Sequence, residues 1–441
     1  MAAKDVAPHD PLAFLQDLVW DAVPPVVQHQ AKRCLLDTLG VAAGAHGTRL
    51  SAIIRDHAAE DMPGSVPLLF DSRTAARSAV AMAAGMMIDS LDGHDGYNPA
   101  KGHIGAPLLS GLWAVLQGKV LSGKAFLAAW VAGYEMGGRI AVAQHSTCPD
   151  YHTSGSWGAV AVAAAGARLM ALDQDQTRHA LGIAEYHGPR SQMMRCIDHP
   201  TMLKDGAGWG ALCGVSALQL ATRGFTGAPA LTVEEAPAYW ADLGRRWLLL
   251  EQYFKPYPVC RWAQAPVEGV LALRDAYGIG PGDVDHIHVE TFHESCRLAT
   301  ATPRTTEEAQ YSTAFPCAVA MVRGAVTPND IGEDALDDPE VLRLSTSLQM
   351  REHDFANRSF PQQRYARTTL VLASGERLTG AWMNPKWTAE EPPSDAEIVE
   401  KFYDLATPIL GQSRAAAIEA AIWELDTGLL EDFVTLLRGD P

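Results

Sequence analysis

The chain has 441 residues, 47% hydrophobic and 20% charged, which supplies a large core and excludes a globally disordered chain. Lys plus Arg number 35 against 52 Asp plus Glu, a net charge of −17 that argues against a nucleic-acid or anionic-membrane partner but not against a local basic pocket. At about 150 residues per domain, the length suggests two to three domains. Residues 27–43 put Ala31, Leu35, Thr38 and Ala42 on one helical face, and Gly44 and Gly47 follow to stop the helix. A second apolar helix is predicted over 76–89, running into the polar, Gly-rich segment DSLDGHDGYNPAKGHIGAP. Ala- and Gly-rich helices are predicted over 124–137, 156–172 and 207–222. Apolar on nearly every face, they belong inside a multi-helix bundle.

The pattern changes near residue 278. GIGPGD is a turn, 284–291 alternates Val and Ile with polar side chains as a half-buried strand does, and 367–380 reads as a hairpin turning at Ser374-Gly375-Glu376. Helices are predicted between them at 307–324 and 331–340. NPKWTAEEPPSD is a linker, and 386–409 and 413–439 return to amphipathic helix. The predicted fold class is mainly α. A large all-helical domain is built from both chain ends (1–272 and 386–441), with a smaller α+β lid domain inserted over 273–385.

Cys34, Cys148, Cys196, Cys213, Cys260, Cys296 and Cys317 are odd in number and contain no CxxC pair, the pattern of a reducing cytoplasm. The opening MAAKDVAPHDPLAF lacks a signal-peptide apolar stretch, and no run reaches the roughly 20 apolar residues of a spanning helix. A cytoplasmic protein is expected. GxGxxG after a strand, GxxxxGK[ST], HExxH, GxSxG and EF-hand patterns are all missing, so neither a nucleotide, a flavin nor a metal is expected.

Four polar clusters interrupt the apolar helices. The first is Asp92-Gly93-His94-Asp95 with Lys101 and His103. A carboxylate beside an imidazole fixes its tautomer and raises its basicity, the arrangement proton transfer needs; a solvated capping loop has the same composition. The second, Tyr151-His152-Thr153-Ser154-Gly155-Ser156, precedes an Ala-rich helix whose free N–H groups can seat a carboxylate, though Ser154 or Ser156 also serves as a plain cap. The third is Lys204-Asp205-Gly206. The fourth, Lys255-Pro256-Tyr257-Pro258-Val259-Cys260-Arg261, offers two cations on a proline-stiffened backbone, with Cys260 read as structural. Tyr311 and Ser312 are candidate contributions from the inserted segment, while His286 and His288 read as one solvated strand face. Together these groups point to acid–base chemistry on a small di- or tricarboxylate. A carboxylate-binding module without catalysis is the non-enzymatic alternative.

The pieces AKRCLLDTLGVAAGA, SLDGHDGYNPAKGHIGAPLLSGLWA, YHTSGSWGAVAVAAAGARLM, LKDGAGWGALCGVSALQLATRGFTG, FKPYPVCRWAQAPVEGVLAL and PRTTEEAQYSTAFPCAVAMVRGAV resemble, in order and separation, the MmgE/PrpD family. That family includes 2-methylcitrate dehydratase, cis-aconitate decarboxylase and iminodisuccinate epimerase. The resemblance implies a homodimer without organic cofactor, its active site between a helical domain and a lid. It also implies candidate catalytic roles for Asp92, His103, His152, Lys204 and Lys255, and substrate contacts from Asp95, Tyr311 and Ser312. Ser154 and Arg261 complete the binding set from the residue reading above. By family frequency dehydration ranks first, epimerisation second and decarboxylation of an unsaturated acid third. Where the family commonly writes L-D-F-D-D-T, this chain has Leu91-Asp92-Gly93-His94-Asp95-Gly96.

Overall fold

The computed structural model describes residues 10–148 and 150–441. Two large hydrophobic cores organise them, beside a small cluster of Leu50, Met82 and Met86. The first is built from α1 (Pro25–Gly44), α2 (Arg77–Asp89), α3 (Gly105–Leu116), α4 (Gly123–Thr147), α5 (Ser154–Leu169), α6 (Gln174–His187) and α7 (Ala207–Ala221). Small side chains let these helices touch backbone to backbone. A Cβ on Gly85 of α2 would lie 2.6 Å from Gly208 Cα of α7, and one on Gly210 would lie 2.4 Å from the Gly155 carbonyl oxygen of α5. Close approach of this kind buries α5 completely except near its C-terminal end.

The second core holds α8 (Arg261–Tyr277), β1 (Val284–Thr291), α9 (Thr306–Gln310), α10 (Ala314–Arg323), β2 (Gln349–Glu352), β3 (Ala366–Leu372) and β4 (Arg377–Met383). The sheet order is β2-β1-β3-β4; β2 runs parallel to β1, and the other pairs are antiparallel. Along β1, Ile287, Val289 and Thr291 are buried, as alternation requires, and a register shift between Val284 and His286 brings Val284 to the buried side as well. Helix α8 lies against β3, where a Cβ on Gly269 would meet Thr368 Oγ1 at 2.5 Å. This core begins at Val259 and also takes in Met193 and Ile197, so the segment around 193–197 belongs to it by packing. The chain then returns to the first core through α11 (Asp395–Trp423) and α12 (Leu430–Leu436), with α11 against α1. The protein is therefore mainly helical with a small inserted α+β segment.

Several predicted elements differ in detail. The helix expected over 307–324 is broken at Tyr311–Thr313 into α9 and α10. The one expected over 331–340 instead spans Pro339–Ser347, because Asp338 caps it through the N–H groups of Glu340 and Val341 and Pro339 takes its first position. The two C-terminal helices are fused into α11, kinked at Gly411 (φ 74°), and α12 follows separately. Among the described residues no helix is long and apolar enough to cross a membrane.

Candidate active site

The end of α2 starts the site. Asp89 closes that helix and accepts the N–H of Ala207 at the start of α7 (3.0 Å), joining two chain segments. The chain then turns through Asp92, whose φ of 49° lies in the left-handed region, as do those of Lys101 (54°) and Lys204 (52°). Among the described residues, half of the six non-glycine positions with positive φ therefore sit in this one neighbourhood, where surrounding contacts must hold them. Gly96 makes room. A Cβ there would lie 2.4 Å from Tyr253 Oη and 2.9 Å from His103 Nδ1.

His103 Nδ1 is 2.6 Å from the carbonyl oxygen of Asp95, so this nitrogen carries the proton and donates it. Nε2 then has a free lone pair, 3.8 Å from Asp92 Oδ1. Burial, then Lys255 and His94, hold the imidazole well below its usual 6.5, and His103 rests neutral. The ring of His94 meets it edge-on at 4.4 Å between centroids and reaches Asp89 Oδ1 at 3.2 Å. The N–H of His103 donates to Ser154 Oγ (2.9 Å), and that hydroxyl donates to Asp205. Burial and the nearby Asp89 push the Asp205 carboxyl well above the ordinary carboxylate range.

Lys255 Nζ donates to both Asp92 Oδ1 (2.6 Å) and the Asp92 carbonyl oxygen (2.8 Å). Burial alone would loosen its proton, but Asp92 carries its pKa above the usual lysine value. Lys204 is the opposite case, lowered by burial despite Asp92. Its ammonium donates to Gln310 Oε1 and lies 4.7 Å from the centroid of the Tyr311 ring. Gln310 is fixed in turn by donating to Ser90 O and Thr306 Oγ1.

A cavity of about 20 Å³, room for about one water, lies between the two cores. Asp92, Lys101, His103, Asp205, Lys255, Arg261, Tyr311 and Arg364 give it its chemistry, and Tyr151, Met193, Tyr253, Cys260 and Trp262 complete its wall. Four cationic side chains face two carboxyl groups in a protein whose net charge is −17. The Arg364 Nε is buried without a hydrogen-bond partner among the described residues, while its Nη1 donates to Asn98 Oδ1 and to Pro361 O.

Residues 12–242 match the MmgE/PrpD N-terminal domain, and residues 257–427 match the MmgE/PrpD C-terminal domain. The chain belongs to the MmgE/PrpD family. Similar proteins include a cis-aconitate decarboxylase of Aspergillus terreus, 25% identical over 474 aligned positions that cover 96% of this chain and 94% of the relative. A cis-aconitate decarboxylase-like protein, oryM, of Aspergillus oryzae is 24% identical over 95% of this chain and 94% of its own length.

In this MmgE/PrpD chain the expected site residues divide into three groups. Asp92, His103, Lys255, Arg261 and Tyr311 line one cavity, and Lys204 sits directly behind Tyr311. Arg261 is largely committed to structure, its guanidinium donating to Phe254 O, Gln264 Oε1, Lys386 O and Pro385 O. Asp95 and Ser154 lie behind His103: Asp95 through its carbonyl, with its carboxyl bonded to Tyr134 Oη at 2.7 Å, and Ser154 through its hydroxyl. The expectation that His152 and Ser312 reach the same cavity needs correction. His152 pairs with Gln192 as an isolated bridge, and neighbours on an extended segment face opposite sides. Tyr151 and Met193 therefore face the cavity, whereas His152 and Gln192 line a separate, more open one of about 700 Å³ with Arg190 and Arg195. Ser312 Oγ donates to Thr300 O and accepts the N–H of Phe315, a local cap. Cys260 lines the cavity with its thiol pushed up to about 12 by burial and by Asp92, and stays protonated.

Gln310, Tyr253 and Arg364 were not predicted as site residues, and Lys101, Tyr151 and Asp205 were named only as members of the polar clusters. Gln310 adjoins the expected Tyr311, and a carboxamide beside a buried lysine is a readable acceptor. Arg364 follows a Pro-Gln-Gln loop with no motif around it, and only the fold brings it to Asn98.

Proposed function

We propose that this protein is a lyase acting on a small tricarboxylate, and that it removes CO2 from a cis-unsaturated acid of the cis-aconitate type without an organic cofactor. The observation that carries this reading is the buried cavity with Lys101, Lys255, Arg261 and Arg364 around neutral His103. The names of the similar proteins favour decarboxylation over the dehydration that family frequency alone would place first.

The cations hold the carboxylates where water is excluded and their fields are strongest. The carbon–carbon bond to one carboxylate breaks, and its electron pair moves through the double bond onto carbon next to a second carboxylate. Lys255 and its neighbours stabilise the charge that develops there. His103 Nε2 takes up a proton as the polyanion enters and delivers it to that carbon. CO2 leaves, and a trianion plus one proton become a dianion plus CO2. In the present closed state the cavity is far too small for such an acid, so the inserted segment moves to admit it.

A second reading rests on the lone pair at Nε2. A neutral, buried imidazole is also set to remove a proton from carbon, as dehydration or epimerisation requires.

Incubation with cis-aconitate, 2-methylcitrate and iminodisuccinate in D2O, followed by proton NMR and CO2 trapping, decides between these. The expected result is CO2 with one deuterium on product carbon. Water loss without CO2, or deuterium exchange alone, overturns decarboxylation in favour of the second reading. Binding without any turnover leaves only a carboxylate-binding module.

A further inference from the structure

Lys401 lies on α11, in the C-terminal part of the chain, yet its ammonium donates to the carbonyl oxygen of Gly93 at 2.7 Å. It also pairs with Asp37 of α1, whose side chain is fully buried. Gly93 immediately follows Asp92. Two successive carbonyls of this loop are thus each held by an ammonium: Asp92 O by Lys255 from the cavity side, and Gly93 O by Lys401 from behind. The left-handed backbone of Asp92 is disfavoured for a residue with a side chain, so the loop does not keep that shape unaided. The rear wall is also reachable. Gly93, Pro256, Val326, Asn329, Glu400 and Lys401 line a cleft of about 620 Å³ on the side away from the cavity.

We propose that Lys401 is a positioning residue: from the rear cleft it fixes the Gly93 carbonyl and thereby sets where Asp92 points toward Lys255 and His103. The proposal rests on the site described above. It assigns a role in turnover to the C-terminal helix, which touches none of the reacting groups. Gly93 and Pro256 form part of the partition between cleft and cavity, each directly following a member of the Asp92–Lys255 pair.

The cleft supplies the test. Lys401→Ala removes the ammonium and leaves a space open to solvent, into which a small primary ammonium ion fits. Turnover by Lys401→Ala is expected to fall about 10–100-fold with KM changed less than about threefold, the signature of a lost charged hydrogen bond that orients and does not bind. Millimolar ethylammonium should restore much of kcat, whereas tetramethylammonium, with charge but no N–H, should not. Amide hydrogen exchange over residues 89–97 without substrate should speed up in the variant and slow again with ethylammonium. Rescue of thermal stability by ethylammonium without rescue of kcat overturns the proposal, as does unchanged exchange over 89–97. Should Lys401→Ala not fold, the double variant Asp37→Asn, Lys401→Met removes the buried pair together, and full activity in it is equally fatal. If the wild type turns over none of the acids, the functional reading has failed, and the exchange experiment still decides the role of Lys401.

Discussion

One ammonium, that of Lys255, holds both the side chain and the backbone of Asp92, a residue 163 positions earlier: Nζ lies 2.6 Å from Oδ1 and 2.8 Å from the carbonyl oxygen. Both partners are buried, with side-chain exposures of 1% and 4%. Removing one of them strands a charge away from water. Asp92→Asn is therefore expected to cost about 3 kcal/mol of stability, and Asp92→Asn with Lys255→Met to recover most of it, since the stranded charge goes too. Neither variant should turn over substrate. Denaturant unfolding of the two proteins checks the pattern; a single variant as stable as the wild type refutes it.

His103 makes binding depend on pH. Burial lowers its pKa most, and Lys255 and Arg364 face its ring with positive charge against the negative charge of Asp92, so the free protein keeps the imidazole neutral. A bound polyanion raises the pKa. The complex then holds one more proton than the free protein, and affinity strengthens as pH falls from the complex value toward the free one, by at most about tenfold per pH unit. Calorimetry with the unreactive acid tricarballylate, in buffers of differing ionisation heat, should show uptake of a proton near neutrality. His103→Gln should abolish that uptake and lower turnover by about 10²–10⁴-fold. Binding without proton exchange in the wild type would falsify the role given to His103.

Asp95 predicts an unusual stability profile. Burial and the charge on Asp37 push its carboxyl up to about 7 from the ordinary 3.8. A carboxyl raised in the folded state contributes stability that is full below the unfolded value and lost as pH rises through the folded one. The wild type should therefore weaken between about pH 4 and 7 by up to a few kcal/mol from this group. Asp95→Asn keeps an acceptor for the Tyr134 hydroxyl and removes the titration. Its melting temperature should exceed that of the wild type at about pH 8 and converge with it near pH 4. An unchanged difference across that range would show that Asp95 does not titrate there.

What the sequence made legible was periodic. The Ala-rich faces of α1, α2, α4, α5 and α7 and the alternation of β1 come from spacing alone. Helices α3 and α8 were not predicted, and each contains a proline, Pro107 and Pro266. In the structure Pro107 sits in the first turn of α3, and the Trp262 carbonyl that Pro266 leaves without a helical N–H accepts the Ser295 hydroxyl instead. At the site, clustered residues such as Asp92, His94 and His103 announced themselves. The direction of a side chain did not: Tyr151 and His152 are adjacent in sequence yet face different cavities, which depends on a single bridge to Gln192. Lys401 and Arg364 were illegible because their partners, Gly93 and Asn98, lie about 300 positions away.

Arg364 gives the most direct test of substrate charge. It is 3% exposed, lines the cavity and has a buried Nε with no hydrogen-bond partner among the described residues. An unpaired buried donor is costly, and a carboxylate placed beside Nε relieves that cost with a charge-assisted bond. The guanidinium is oriented by Asn98 on the helical side and by Pro361 on its own, so it reaches the cavity from the inserted segment. Arg364→Lys retains the charge but loses the planar fork, and KM for the tricarboxylate should rise about 10–100-fold with a smaller change in kcat. The comparison that isolates the contact uses an analogue lacking one carboxylate. If Arg364 holds that carboxylate, the wild type should discriminate strongly between the two acids and the variant only weakly. Equal discrimination by both enzymes places the carboxylate elsewhere, among Lys101, Lys255 and Arg261.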